Sequence, residues 1–253
     1  MRIIQETENL FRLTRLNMFN CFLVREGDGL SLVDTNLPGS ARAILRVADE
    51  LHSKIGKIVL THAHFDHTGS VDDLMSALPE AQLLIGAREQ RLLAGDMSLE
   101  PGESGKRLLG FPKVRATPGR LLFEGDRIGS LQAINCPGHT PGHMAFLDVR
   151  DNSLIAGDSF VNQTGLVAAG VFSIFFPPPA WFSWNGALAA ESADKLRTLN
   201  PNLLSMGHGK SLVSPRREMD RAVAIAFQQH PRRNPVQNCS CLSQRPWIDL
   251  DRK

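Results

Sequence analysis

A histidine-rich stretch near residue 60 has the residue types and the spacing that chemistry at a metal ion requires. Three histidines and one aspartate lie within six consecutive positions, at His62, His64, Asp66 and His67. Imidazole nitrogens, which are mostly uncharged at neutral pH, and carboxylate oxygens both ligate metals. Four such side chains on one tight turn can converge on a small volume, so the stretch predicts a metal site.

The segments on either side predict where this stretch lies in the fold. Residues 57–60 form a short apolar run that is typical of a buried strand, and residues 71–78 are compatible with a helix. The stretch therefore lies where a strand ends and a helix begins, which is where α/β sheets place their ligand sites.

Three further candidate ligands follow along the chain, each after a short apolar run. His139 lies in a Pro-Gly-His string, Asp158 in a Gly-Asp pair and His208 between two glycines. A glycine beside a ligand lets the backbone turn sharply and approach a metal closely. His143 follows shortly after His139, and we expect it to be either a donor to the ligands or a structural histidine on a strand.

The order of these residues resembles the metallo-β-lactamase superfamily. The matching pattern is an H-x-H-x-D-H string, then a single histidine, a Gly-Asp pair and a Gly-His-Gly string; the strings around Asp34 and Thr61 match as well. The resemblance covers roughly residues 10–215. It implies an α/β fold, a four-layer αβ/βα sandwich of two mixed β-sheets flanked by helices.

The resemblance also implies how the seven candidate ligands divide between two metals. His62, His64 and His139 would hold the first metal, Asp66, His67 and His208 the second, and Asp158 would bridge them. Seven ligands are too many for one tetrahedral zinc. We expect two Zn²⁺ per chain, with iron or manganese as alternatives because imidazole and carboxylate suit all three.

The predicted chemistry is hydrolysis by a hydroxide held between the two metals, where water loses its proton near neutral pH. We expect Asp66 and Asp158 to be the catalytic carboxylates, with Asp66 also passing a proton to the leaving group. Asp34 would either orient a ligand imidazole or be a turn residue. His52 and His230 have no supporting context, and we expect them at the surface.

The substrate is predicted less sharply than the reaction. Residues 88–119, which are rich in glycine and proline, and the aromatic residues 171–184 are expected to build the pocket; the second segment would accept an acyl chain, or else be ordinary core or a homodimer contact. A small molecule with a hydrolysable carbonyl is expected, in the first place a lactone of the acyl-homoserine type. The lactonases of the superfamily carry a tyrosine near the site, and this chain contains no tyrosine.

Several other activities remain open on the same ligand set. They are a glyoxalase II-like thioesterase, a β-lactam hydrolase, a mononuclear iron dioxygenase acting on persulfides, and a binding protein that has lost its metal. All seven ligands are present in this chain, whereas metal-free members of the superfamily lose ligands first.

Composition limits the partners and the compartment. The chain has 253 residues, of which 42% are hydrophobic, and we expect one domain over residues 1–228 followed by a polar tail over 229–253. A net charge of +2 is too small to indicate a nucleic acid or an anionic membrane as partner. We expect a cytoplasmic protein with Cys21 and Cys136 in its core, and a Cys239–Cys241 pair in the tail that could bind metal or form a disulfide.

Periodicity in the remaining chain predicts further elements. Helices are expected over residues 40–52 and 187–198 and near 215–228, and strands over 82–85 and 202–206.

Overall fold

Two mixed β-sheets form the centre of the computed structural model, which describes residues 1–174 and 177–231. The first sheet contains β1 (Arg2–Gln5), β2 (Leu10–Arg15), β3 (Phe19–Glu26), β4 (Gly29–Val33), β5 (Ile55–Leu60), β6 (Gln82–Gly86) and β7 (Arg120–Leu122). These strands lie side by side in chain order. Neighbours are antiparallel from β1 to β4 and parallel from β4 to β7.

The second sheet is built from the later part of the chain. The strands there are β8 (Arg127–Ile128), β9 (Leu131–Asn135), β10 (Met144–Asp148), β11 (Ser153–Ile155), β12 (Phe160–Val161), β13 (Val167–Ala168), β14 (Leu203–Ser205) and β15 (Leu212–Val213). Six of them form the sheet in the order β15-β14-β11-β10-β9-β8, and β12 and β13 form a separate pair. β11 and β14 are parallel, and the other neighbours in the sheet are antiparallel.

Five of the seven helices in the described residues pack against the sheets. The helices are α1 (Ala41–Glu50), α2 (Phe65–Thr68), α3 (Val71–Ala77), α4 (Ala87–Leu93), α5 (Pro178–Phe182), α6 (Gly186–Thr198) and α7 (Arg216–Gln229). Residues of α1, α3 and α4 pack against the first sheet, and residues of α6 and α7 against the second. Within residues 1–174 and 177–231, every helix is too short or too polar to serve as a membrane span.

Alternating side chains along the strands hold these layers together. In β3, Phe22 and Val24 enter the core between the two sheets, while Cys21 and Leu23 enter the core under the helices. All four are fully buried, and burial of an apolar side chain of this size stabilises a fold by roughly 2 kcal/mol. Helix, sheet, sheet and helix therefore stack in that order, and the predicted four-layer αβ/βα sandwich is confirmed.

Most predicted elements lie at or near their predicted bounds. The helices predicted over residues 40–52, 71–78 and 187–198 correspond to α1, α3 and α6, and the helix predicted near 215–228 is α7. The strand predicted before the histidine-rich stretch is β5, and it begins two residues earlier than predicted, at Ile55.

Several elements have no counterpart among the sequence patterns, and β2 and α4 are two of them. β2 is buried on both faces and contains Arg12, which is 6% exposed and paired with Glu6 (Nε–Oε1 2.6 Å). A buried arginine hides the apolar pattern of a strand, because arginine is normally taken as a surface residue. α4 begins at Ala87, one residue before the glycine- and proline-rich segment 88–119, for which no helix was predicted.

The remaining predictions about the chain have mixed outcomes. Cys21 and Cys136 are buried free thiols, as expected of core residues. Cys239 and Cys241 lie outside the described residues. The predicted boundary between a domain over residues 1–228 and a tail over 229–253 stays a prediction, and so do the homodimer and the cytoplasmic location.

Candidate metal centre

The seven candidate ligands follow the ends of strands that point toward one edge of the sandwich. β4 and β5 are parallel neighbours, and the histidine-rich stretch comes directly after β5. In the other sheet β9, β11 and β14 run in one direction, and His139, Asp158 and His208 follow their ends. Because the carboxyl ends of parallel strands meet at one edge, residues far apart in the chain come together there.

Three histidines form one part of the cluster, which we call the trihistidine subsite. The Nδ1 atom of His64 lies 3.1 Å from Nε2 of His62 and 3.0 Å from Nε2 of His139. All three side chains are buried. Three imidazole nitrogens lie close together here, and their lone pairs would repel one another without a cation between them. The arrangement therefore fits a metal ion with three imidazole ligands.

The other part of the cluster, which we call the Asp66 subsite, consists of Asp66, His67 and His208. The Oδ2 atom of Asp66 lies 3.3 Å from Nε2 of His208 and 3.9 Å from Nε2 of His67. Two nitrogens and one oxygen converge here, a donor set that suits zinc, iron or manganese.

Asp158 contacts both subsites. One carboxylate oxygen, Oδ1, lies 3.4 Å from Nε2 of His67, and the other, Oδ2, lies 3.1 Å from Nε2 of His208 and 3.5 Å from Nε2 of His139. The structure thus brings together all seven residues that the sequence singled out. Their donor atoms form a cluster that could hold metal, and the number of ions and the assignment of each residue to a metal remain proposals.

The two subsites differ in charge when no metal is bound. Burial lowers the pKa of His64 to about 4 and holds the pKa values of His62 and His139 well below their usual range. Burial acts in the same direction on His208, but the carboxylates of Asp158 and Asp66 outweigh it and raise the pKa of His208 to about 9. The trihistidine subsite is therefore neutral at pH 7, while the Asp66 subsite holds protons that a metal must displace.

Metal loading at neutral pH is expected to release protons from the Asp66 subsite. Metals bind the unprotonated imidazole, and His208 with its pKa of about 9 is protonated below that pH. The part of the release that comes from His208 should disappear as the pH rises through about 9. Calorimetric zinc titrations in two buffers of different ionisation enthalpy measure the number of protons.

A matched pair of variants makes this test specific. His208→Ala should release about one proton fewer than the parent. His64→Ala should release as many as the parent at the metal that remains, because His64 with its pKa of about 4 carries no proton to lose. Equal heats in the two buffers would contradict the assignment of charge.

Asp34 lies behind the cluster at the end of β4 and holds two of its histidines in place. The Asp34 carboxylate lies 2.8 Å from Nδ1 of His67 and accepts the backbone N–H and the hydroxyl of Thr61, both at 2.8 Å. The Thr61 hydroxyl in turn lies 2.9 Å from Nδ1 of His62. Hydrogen bonding at Nδ1 turns Nε2 of each ring toward the cluster. Of its two predicted roles, Asp34 thus has the one of orienting a ligand imidazole, and its backbone is left-handed, with φ of 61°.

The histidines outside the cluster have different surroundings. His143 is fully buried, and its Nε2 accepts the backbone N–H of Asp158 (3.0 Å), so it supports the cluster from behind. Among the described residues it is in none of the groups that could hold a metal. His52 is exposed, as predicted. The surface position predicted for His230 is wrong in part, because the ring is half-buried and its Nε2 donates to the carbonyl of Gly170 (2.9 Å).

An apolar pocket of about 260 Å³ opens over the cluster. Five of the seven candidate ligands line it, and the other lining residues are Met18, Phe19, Phe65, Val161, Pro178, Pro179 and Phe182. These seven side chains include no cation and no hydroxyl group. The pocket therefore favours an uncharged, apolar group beside the cluster.

The two segments expected to build the pocket contribute unequally. Residues 171–184 supply three of the lining residues, at the start and the end of α5; Phe175 and Phe176 lie outside the described residues. Residues 88–119 supply none of the lining residues, and that expectation is wrong. They contact the cluster from another side, where the ring of Phe111 packs 4.5 Å from the ring of His64.

Comparison with models of protein families identifies the family of this chain. The model described as the metallo-beta-lactamase superfamily matches residues 16–208, a range that contains the whole cluster. The chain belongs to the metallo-beta-lactamase superfamily. The predicted membership of this superfamily, and with it the predicted class of enzyme, a metallo-hydrolase, are confirmed.

Superfamily relatives match most of the chain. The "Uncharacterized protein YobT" of Bacillus subtilis is 42% identical over 231 residues, which are 89% of this chain and 99% of that protein. The "Probable metallo-hydrolase YflN" of the same organism is 29% identical over 216 residues, which are 76% of this chain and 80% of that protein. The crystal structure of TTHA1623 in a di-iron-bound form has a TM-score of 0.60 at 26% identity, and covers 87% of this chain and 97% of that one.

Two residues beside the superfamily cluster escaped the sequence patterns. The Ser183 hydroxyl donates to the carbonyl of Pro179 and lies 3.2 Å from Nδ1 of His139, so it can accept the Nδ1 proton and turn Nε2 to the cluster. Glu89 is fully buried in α4, and burial raises the pKa of its carboxyl to about 7. One feature of the sequence could have indicated Glu89: it is an acidic residue shortly after β6, and β6 is the parallel neighbour of the strand that precedes the histidine-rich stretch.

Proposed function

We propose that this chain is a metal-dependent hydrolase that opens an uncharged ester carbonyl bearing an apolar substituent, in the first place a lactone of the acyl-homoserine type. The observation that carries the proposal is the apolar pocket directly over the cluster, whose lining apart from the candidate ligands includes no cation and no hydroxyl group. An acyl chain gains free energy by leaving water for such a pocket, whereas a charged substituent would lose its hydration without a partner.

The residues around the pocket divide the work of binding and proton transfer. Two metals bound in the subsites would supply a nucleophile at neutral pH and polarise the substrate carbonyl. Phe65, Val161 and Phe182 would hold the apolar substituent beside them. Asp66 lies in the same lining, where its carboxylate would carry a proton to the leaving oxygen.

The chain contains no tyrosine, so the role of the tyrosine that the lactonases carry near the site, which is to help hold the substrate carbonyl, has no counterpart here. Since the seven lining residues outside the cluster have no hydroxyl group, the metal centre would hold the substrate carbonyl without that help. We propose zinc as the metal. The di-iron-bound form of TTHA1623 supports iron as the alternative.

Proton release by the zinc-loaded protein on acyl-homoserine lactones of increasing chain length tests the proposal. We expect hydrolysis that becomes more efficient with chain length and that His64→Ala abolishes. Phe182→Ala should raise KM for the long-chain lactone by about five- to tenfold, because its ring, which is 40% exposed in the open pocket, contributes roughly 1 to 1.5 kcal/mol of apolar contact. Phe123→Ala is the matched control, since Phe123 is also an exposed phenylalanine but lies outside this lining.

The alternative substrates are separate arms of the same experiment. Turnover of a glutathione thioester or of a β-lactam in place of every lactone would reject the lactonase and retain the hydrolase. A protein that binds two metals and hydrolyses none of the three classes would reject the proposed function.

A further inference from the structure

Glu89 is a buried carboxylate beside the metal cluster that takes no part in the chemistry described so far. Its side chain is 0% exposed, and it belongs to none of the described groups that could hold a metal. A buried carboxylate is costly unless hydrogen bonds compensate for its lost hydration. The partners of Glu89 therefore indicate what the residue does.

Those partners lie in two loops that carry candidate ligands. One oxygen of Glu89, Oε1, accepts the backbone N–H of Ala63 (3.0 Å), the residue between His62 and His64. The other oxygen, Oε2, accepts the hydroxyl of Thr140 and the backbone N–H of Gly142, both at 2.9 Å, in the loop that His139 begins. A single carboxylate thus joins the two loops that supply the trihistidine subsite.

Close packing fixes this connection. A side chain at Gly142 would lie 2.5 Å from the backbone nitrogen of Glu89, and one at Gly86 would lie 2.9 Å from the carbonyl oxygen of Gly142. The loop therefore lies directly on the start of α4. The guanidinium of the neighbouring Arg88 donates to both carboxylate oxygens of Glu103 (2.7 and 2.8 Å) and not to Glu89. The carboxylate of Glu89 therefore accepts hydrogen bonds from the two loops and not from this arginine.

The connection acts on one subsite more than on the other. The nitrogens of the trihistidine subsite come only from these two loops, and the gap between the loops sets the gap between His139 and the other two histidines. In the Asp66 subsite, His67 is held directly by Asp34, and His208 comes from the segment after β14, which Glu89 does not contact through any of its three hydrogen bonds.

We propose that Glu89 is a positioning residue that sets the spacing of the trihistidine subsite by joining its two loops. Loss of the carboxylate weakens metal binding there and leaves the Asp66 subsite unaffected. The inference rests on the metal centre and not on the substrate, so a failure of the lactonase proposal leaves it intact.

Cobalt binding to single-subsite proteins tests this inference. His208→Ala disables the Asp66 subsite and leaves the trihistidine subsite, and His64→Ala does the reverse. Adding Glu89→Gln to the His208→Ala protein should raise the Kd for cobalt by about tenfold or more, a usual effect of losing a residue that orients ligands. Adding it to the His64→Ala protein should change the Kd by less than about twofold. The visible absorption bands of bound cobalt should shift in the first protein only.

Two further variants separate positioning from general stability. Thr140→Val removes one of the three donors to Glu89 and should weaken only the trihistidine subsite, by a smaller factor. Glu26→Gln is the matched control, because Glu26 accepts the backbone N–H (3.0 Å) and the hydroxyl (2.9 Å) of Ser130, and both residues lie outside the two ligand loops. An unchanged Kd in the His208→Ala background, or equal losses in both backgrounds, would overturn the inference.

Discussion

An Asp158→Ala variant is expected to bind metal more weakly at both subsites and to lose nearly all hydrolytic activity. Asp158 has one oxygen 3.4 Å from His67 and the other 3.1 Å from His208 and 3.5 Å from His139, so its removal takes a donor from each half of the cluster. Without the metals, water keeps its solution pKa and is a poor nucleophile at pH 7. We expect kcat/KM to fall by roughly a thousandfold or more, with at most one metal retained per chain after dialysis.

Isosteric variants separate the charge of Asp158 from its shape. Asp158→Asn keeps the side-chain volume and the backbone N–H that donates to His143, and it should lose metal as well because the amide nitrogen cannot ligate. Asp148→Asn is the control, a buried aspartate whose partner is Arg150 (2.6 Å) and not a histidine of the cluster. It should keep two metals per chain. Full metal content in Asp158→Asn would refute the bridging role.

A Gly207→Ala variant is expected to disrupt the centre without removing any ligand. A Cβ atom at this position would lie 2.2 Å from Oδ1 of Asp158 and 2.5 Å from Cε1 of His67. The backbone cannot move away easily, because the N–H of Gly207 donates to Gly157 and its carbonyl accepts from Asn20, both at 2.9 Å. The new methyl group must therefore displace a candidate ligand.

The expected result is a loss of both metal affinity and stability. Overpacking of this kind costs roughly 1–3 kcal/mol of folding free energy, and displaced ligands should weaken metal binding by at least about tenfold. Thermal unfolding and metal content per chain measure the two effects. Gly27→Ala is the matched control, since a Cβ atom there has nothing within 4 Å. Normal metal content in the Gly207→Ala protein would contradict the prediction, because it would show that the segment after β14 can move to accommodate the methyl group.

The sequence alone was sufficient for the fold family and for the identity of the cluster. The residues from His62 to His67 are local, and their types and spacing are legible without any knowledge of distant contacts. The same holds for α1 and α7, whose helical periodicity appears within a few turns. Strand ends followed by glycine and a ligand predicted the edge of the sandwich where the site lies.

Tertiary structure decided which residues surround the cluster and which of their atoms face it. Met18 and Phe19 line the pocket because β3 begins beside the segment that holds His208, a contact across most of the chain. Segment 88–119 packs behind His64 instead of forming the pocket wall. Such contacts depend on how two sheets stack, and no local pattern encodes them.

The same limit applies to the residues that orient the ligands. Asp34 reaches His67 and Thr61 only because β4 and β5 are parallel neighbours, and Glu89 reaches two loops only because α4 starts at the end of β6. A carboxylate at either position looks like a turn or surface residue in the sequence. The types of the metal-binding residues can thus be identified from the local sequence. The distances between them, their tautomers and their charges arise from hydrogen bonds between segments that only the folded chain brings together.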